Sequence, residues 1–169
     1  LIERYELYKL DEVVLGDNAH FDHYRLQDES SQAFHIGTVQ VQQARDSQYR
    51  THCVCIGSRI GRNGIAARLE GEGIECVMNG LFITQGDQHI DNHTRVIHAQ
   101  PHCNSHEVFK GILDDRSSGA FTGRIIVKEG AQKTDAIQSS KNLLLSDEAS
   151  ISPDPQLEIF ADDVKCTHG

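Results

Sequence analysis

The chain has 169 residues and a formal net charge of −9. That length suits one domain with a real core, and the acidic balance without any basic cluster excludes a nucleic-acid partner. No apolar run reaches the length of a membrane-spanning helix, and five cysteines at irregular spacing do not make a disulfide framework.

Tryptophan is absent and aromatic residues make up 6% of the chain. Val, Ile, Thr and Gly are plentiful, which points to many short strands rather than a helical bundle. Residues 1–14 and 19–28 alternate briefly around the turn Gly16-Asp17-Asn18, with Tyr5, Leu7 and Leu10 on the first strand and Phe21, Tyr24 and Leu26 on the second. From Ala33 the pattern becomes serial. The predicted strands are Ala33 to Gln42, Arg50 to Ser58, Gly64 to Glu70, Gly73 to Met78, Gly80 to Thr84, Thr94 to His98, Glu107 to Leu113, Gly123 to Val127, Leu143 to Leu145 and Leu157 to Phe160. Residues 131–141 hint at a helix, but Thr134 and the pair Ser139-Ser140 weaken it.

Serial strands without two-residue Asn-Gly hairpins leave an antiparallel sandwich or a parallel solenoid. Gly73, Gly80, Gly111 and Gly123 sit at apparent strand starts, where glycine would turn the corners of a coil. That favours the solenoid, although the repeat is blurred. The chain starts at Leu1 rather than Met and stops at Gly169 without a closing element. The expectation is a middle piece of a longer protein, a single domain over 1–169, with free thiols suited to a reducing cytoplasm.

Several clusters carry candidate chemistry. His89, His93, His98, His102 and His106 crowd one stretch, yet no Glu follows His89 in a zinc-protease pattern and Pro101 breaks any helix. They read as strand and turn histidines on a polar surface. Cys53 and Cys55 fall on one face of a strand and read as small core hydrophobes, since zinc sites prefer wider pairs. Asp114-Asp115 and Asp162-Asp163 split across two faces, a poor geometry for paired catalytic carboxylates. Asp91 and Asp115 keep open a carbohydrate-active solenoid enzyme. At the end of the chain, Cys166 and His168 stand two apart after an alternating run. On a strand they share a face and can offer a thiol and an imidazole to one metal or partner.

Three segments then resemble a known family: Phe121-Thr122-Gly123-Arg124-Ile125-Ile126-Val127 with Ala131-Gln132-Lys133-Thr134-Asp135-Ala136, then Asn142-Leu143-Leu144-Leu145-Ser146, and most of all Pro155 to Gly169. They are similar to the core domain of the SufB/SufD family of iron–sulfur cluster assembly proteins, and the closing Ala161-Asp162-Asp163-Val164-Lys165-Cys166 with His168-Gly169 is SufD-like. The resemblance is dense from about His98 and looser from Gly37 to Gln85. It implies an all-β, right-handed parallel β-helix between N- and C-terminal helical regions that lie outside this chain. It also implies a scaffold rather than an enzyme, pairing with a SufB-like paralogue and, through the missing C-terminal region, with a SufC-like ATPase. His168 is implied as an iron or cluster ligand at the subunit interface, with Cys166 a weaker candidate. The family motif continues beyond His-Gly, where this chain ends. In isolation the expectation is a homodimer without bound iron, because half a site binds weakly. A metal-free interaction module is the remaining alternative.

Overall fold

A computed structural model describes residues 6–169; the expected strand residue Tyr5 lies outside them. Twelve strands alternate between two parallel six-stranded sheets. One sheet runs β1 (Glu6–Leu15), β3 (Phe34–Gln43), β5 (Ile60–Leu69), β7 (His89–His98), β9 (Ser118–Val127) and β11 (Ser150–Ile159). The facing sheet runs β2 (His20–Gln27), β4 (Gln48–Cys55), β6 (Glu75–Thr84), β8 (Asn104–Leu113), β10 (Asp135–Leu144) and β12 (Lys165–His168). This is the parallel β-helix, of about six turns, and the sandwich is excluded because every pairing is parallel.

Alternation builds each wall. On β4 the residues Tyr49, Thr51, Cys53 and Cys55 are buried while their neighbours face out. Because the ladders are parallel and in register, each inward residue stacks on one from the next coil. One such row runs Tyr49, Cys76, Ser105, Ala136 and Cys166; its neighbour runs Thr51, Met78, Glu107, Gln138 and His168. Coil length varies: Phe34 pairs with Ile60 but Ser118 with Ser150. The corners absorb the difference, which is why the repeat looks blurred in the sequence.

The strand expectations need three corrections. Gly73 to Met78 and Gly80 to Thr84 form one strand, β6. The stretch at residues 131–141 that hinted at a helix mostly belongs to β10. Gly80, Gly111 and Gly123 do not turn corners but lie inside strands β6, β8 and β9. A Cβ on Gly80 would overlap the Phe109 ring, and one on Gly111 would overlap the Phe82 ring. Large and small residues therefore interlock between coils. One corner column is instead made by Asn18, Asp46, Gly73, His102 and Lys133, all with positive φ. Asn18, Asp46, His102 and Lys133 are each tied to the next coil through the backbone N–H, as in Asn18 to the Arg45 carbonyl at 2.9 Å and Lys133 to the Asp163 carbonyl at 2.7 Å.

The lumen is not wholly apolar. His98 is fully buried, not on the surface as expected, and its Nε2 lies 2.8 Å from Ser105 Oγ. Burial lowers its pKa to about 4. Glu107 is also fully buried, and neither carboxylate oxygen has a hydrogen-bond partner. Burial raises its pKa to about 7, against the opposing influence of Thr94 and Gln138. The outermost strand β11 carries Pro153 and Pro155, which remove two N–H donors from that edge.

Two outcomes follow from this core. Gly80→Ala should lower unfolding stability by about 1–3 kcal/mol in a urea titration, because the Phe109 ring has to move; an unchanged midpoint would show that the ring shifts freely. Glu107 is protonated in the fold below its raised pKa, where the unfolded chain has already lost that proton. Its contribution is therefore present below about 4.5 and lost as pH rises through about 7. Glu107→Gln should stabilise the chain more at pH 8 than at pH 5, by roughly 3 kcal/mol at most. Thermal melts at the two pH values check this, and a constant difference would refute it. His98 acts in the opposite sense: it is neutral in the fold, so its contribution is lost as pH falls from about 6.5 toward 4.

Candidate functional site

The last coil is the place where the inward rows stop. After Ala161, which is buried, Asp162 and Asp163 round the corner, and Asp163 ion-pairs with Lys133. The Asp163 N–H donates to Gln132 Oε1 at 2.9 Å. Strand β12 then pairs with β10, placing Cys166 on Ala136 and His168 on Gln138. Three backbone bonds fix its ends: Lys165 N–H to the Thr134 carbonyl at 2.8 Å, Gly169 N–H to the Gln138 carbonyl at 2.9 Å, and Ser140 N–H to the Gly169 carbonyl at 2.8 Å. His168 is therefore held on a strand whose backbone is anchored on both sides of it.

Cys166 and His168 do share a face, as their spacing predicts. That face is the lumen side. Cys166 is half-buried against the main core, while His168 is exposed. Burial, and then the nearby Asp135 carboxylate, raise the Cys166 thiol above its ordinary range. Among the described residues, the His168 imidazole has no hydrogen-bond or ion-pair partner.

A thiol and an imidazole are suitable donors for iron or an iron–sulfur cluster. They are two donors only. Among the described residues, no three His, Cys, Asp or Glu side chains gather to hold a metal ion. Cys166 and His168 thus offer two donors and not a complete ligand set.

The other candidates fall elsewhere. His89 and His93 lie half-buried on the outer face of β7, where His93 Nε2 meets Asp91 Oδ2 at 2.8 Å and Arg62 lies 3.8 Å from the same oxygen. His102 occupies a corner, and His106 is exposed, 3.8 Å from Asp135. Asp115 is also a corner residue and accepts a bond from the Gly86 N–H at 2.9 Å. Asp91 and Asp115 are thus committed to separate structural contacts. Cys53 and Cys55 are buried, as expected, but their sulfurs touch at 3.5 Å, a pairing that the spacing alone did not reveal. The Cys55 hydrogen bond, helped by the Arg25 charge, lowers the Cys53 thiol from its ordinary range despite burial. Glu107 and Gln138, which lead along the row to His168, carried no sequence signal beyond alternation.

Comparison with known proteins bears on this geometry. Residues 7–169 match the family described as SUF system FeS cluster assembly, SufBD core domain. The chain is 35% identical to an iron–sulfur cluster assembly SufBD family protein of Synechocystis over 160 residues, which cover 95% of this chain and 35% of that protein. It is 34% identical to the iron–sulfur cluster assembly protein SufD of Escherichia coli over 90% of this chain and 36% of that protein. It is also 34% identical to the chloroplastic protein ABCI7 of Arabidopsis thaliana over 94% of this chain and 34% of that protein. The chain spans about a third of the length of these relatives. Among the described residues, no helix is long and apolar enough to cross a membrane.

Proposed function

The chain belongs to the SufB/SufD family of the SUF iron–sulfur cluster assembly system, and from that premise we propose that it is the β-helical core of a SufD-like scaffold subunit. In this reading it catalyses no turnover of its own. It pairs with a SufB-like paralogue, and a SufC-like ATPase docks through a helical C-terminal region outside this chain. The complex forms and transfers nascent clusters in the cytoplasm, where the five free thiols stay reduced.

The observation that carries the reading is the exposed His168 imidazole, unpartnered among the described residues and set by register on the inward row of Gln138. A rigid β-helix holds this donor still while the paralogue supplies the remaining ligands. Iron or cluster is then bound between subunits and released when they move apart. The ATPase can drive that motion only by binding the two arrangements with different affinity. Cys166 stands one alternate position away but is half-buried with a raised pKa, so it is the lesser donor.

The test is reconstitution of the full-length parent with its SufB-like and SufC-like partners. His168→Ala should reduce cluster formed by at least about tenfold, since losing even an outer-shell partner of a metal ligand costs that much. Cys166→Ser should cost less. Complex formation, read by size-exclusion chromatography, should survive both. Full cluster yield from His168→Ala would leave a metal-free interaction module as the better account.

The same end carries an assembly expectation. Strand β12 covers only Asp135 to Gln138 of β10, so the edge of β10 from Lys141 to Leu144 stays open beside exposed Leu143, Leu144 and Leu145. The chain alone should dimerise. Sedimentation velocity checks this, and a monomer at every concentration would refute it.

A further inference from the structure

The second coil, between β2 and β6, holds a pair of soft donors. Cys53 and Cys55 close strand β4 and both point into the lumen. Their sulfurs lie 3.5 Å apart, and the residues are 4% and 1% exposed. Asn63 of β5 donates from Nδ2 to Cys55 Sγ at 3.3 Å. Arg25 pairs with Cys53 in the register of β2 and β4, and its Nη1 is buried without a hydrogen-bond partner. His35 stands nearby, with Nδ1 held by Glu29 Oε1 at 2.7 Å and Nε2 buried and unpartnered. Gly37 leaves a gap at this point: a Cβ there would lie 2.9 Å from His35 Nε2 and 3.3 Å from Arg25 Nη2. Beside the pair, a cleft of about 420 Å³ opens, lined by Glu29 and by Ile56 and Gly57, which directly follow Cys55.

We propose that Cys53 and Cys55 form a binding site for one soft monovalent cation, copper(I), held between two thiolate sulfurs. This site is independent of the reading of His168, which lies on β12.

The donor set selects the ion. Thiolates favour copper(I) over hard cations. Zinc asks for four donors, and among the described residues no three His, Cys, Asp or Glu side chains gather at one point. A filled-shell monovalent ion accepts two-coordination, so two sulfurs suffice. On binding, each thiol releases its proton to solvent, and the bis-thiolate complex carries one net negative charge. The Arg25 guanidinium offsets that charge, and the Asn63 N–H supports one sulfur, as outer-shell groups do at metal sites. A disulfide fits less well. Residues two apart on a strand have Cα atoms about 6.6 Å apart, near the upper limit for that bond.

The experiment titrates the reduced, anaerobic full chain with copper(I) in the presence of bicinchoninate as a competing chromophoric chelator. The chain should take a single equivalent from the chelator, with thiolate-to-copper absorption in the ultraviolet. Cys53→Ser and Cys55→Ser should each abolish capture, while Cys166→Ser should retain it. Arg25→Gln, which leaves both sulfurs, should weaken binding by about tenfold. The double variant Cys53→Val/Cys55→Val keeps the interior apolar, and its circular dichroism and melting curve show that the coil is intact. Copper(I) left entirely with the chelator by the wild-type chain would overturn the proposal and return the two thiols to core packing. Capture persisting in the folded double variant would do the same, as would zinc bound equally by the same two residues.

Discussion

Register between successive coils governs this molecule. A parallel ladder that holds step for ten residues, as between β3 and β5 or β8 and β10, decides which side chain rests on which. The interior is therefore a set of columns along the axis rather than a pool of apolar residues. Phe109 fills the space above Gly80, and Phe82 fills the space above Gly111, because one step of register brings ring and glycine together. A slip of one residue on any strand would turn that strand's inward residues outward and break every column it joins.

The functional reading rests on the same columns. Cys166 and His168 are the terminal members of rows that are buried throughout the coil before them. The His168 imidazole is therefore aimed by the fold, along the row it shares with Gln138. A surface histidine on the outer wall, such as His106, lacks that support, since it stands on the solvent side with a distant carboxylate. Rigidity in β12 comes from backbone bonds to β10, not from contacts of the imidazole itself. The side chain thus keeps its nitrogens available for a ligand while its Cα is pinned.

Much of this was legible in the residues. Alternation within Arg50 to Ser58 announced a strand and placed both cysteines inside, although the strand itself begins at Gln48. The closing Lys165 to Gly169 announced the shared face. What hid was the polar half of the core. Strands β7, β8 and β9 each begin several residues before their apolar alternation, because Asn92, Ser105 and Gly119 take the inward positions there. Strand β10 was obscured for the same reason, with Gln138 and Ser140 facing in. Gly80, Gly111 and Gly123 were misassigned to corners because a corner demands a left-handed backbone rather than a glycine, and Asn18, Asp46, His102 and Lys133 meet that demand as well as Gly73 does. The contact between Cys53 and Cys55, and the isolation of Glu107, belong to side-chain geometry that no linear pattern records.

The two walls of the coil differ in one respect. On β11, Pro153 and Pro155 stand two apart, so both gaps in the donor row fall on the side of the strand turned away from β9. Any strand laid there loses two backbone hydrogen bonds, whichever chain it comes from. A local veto on sheet extension is thus written into one wall, while the strands of the facing wall carry no proline.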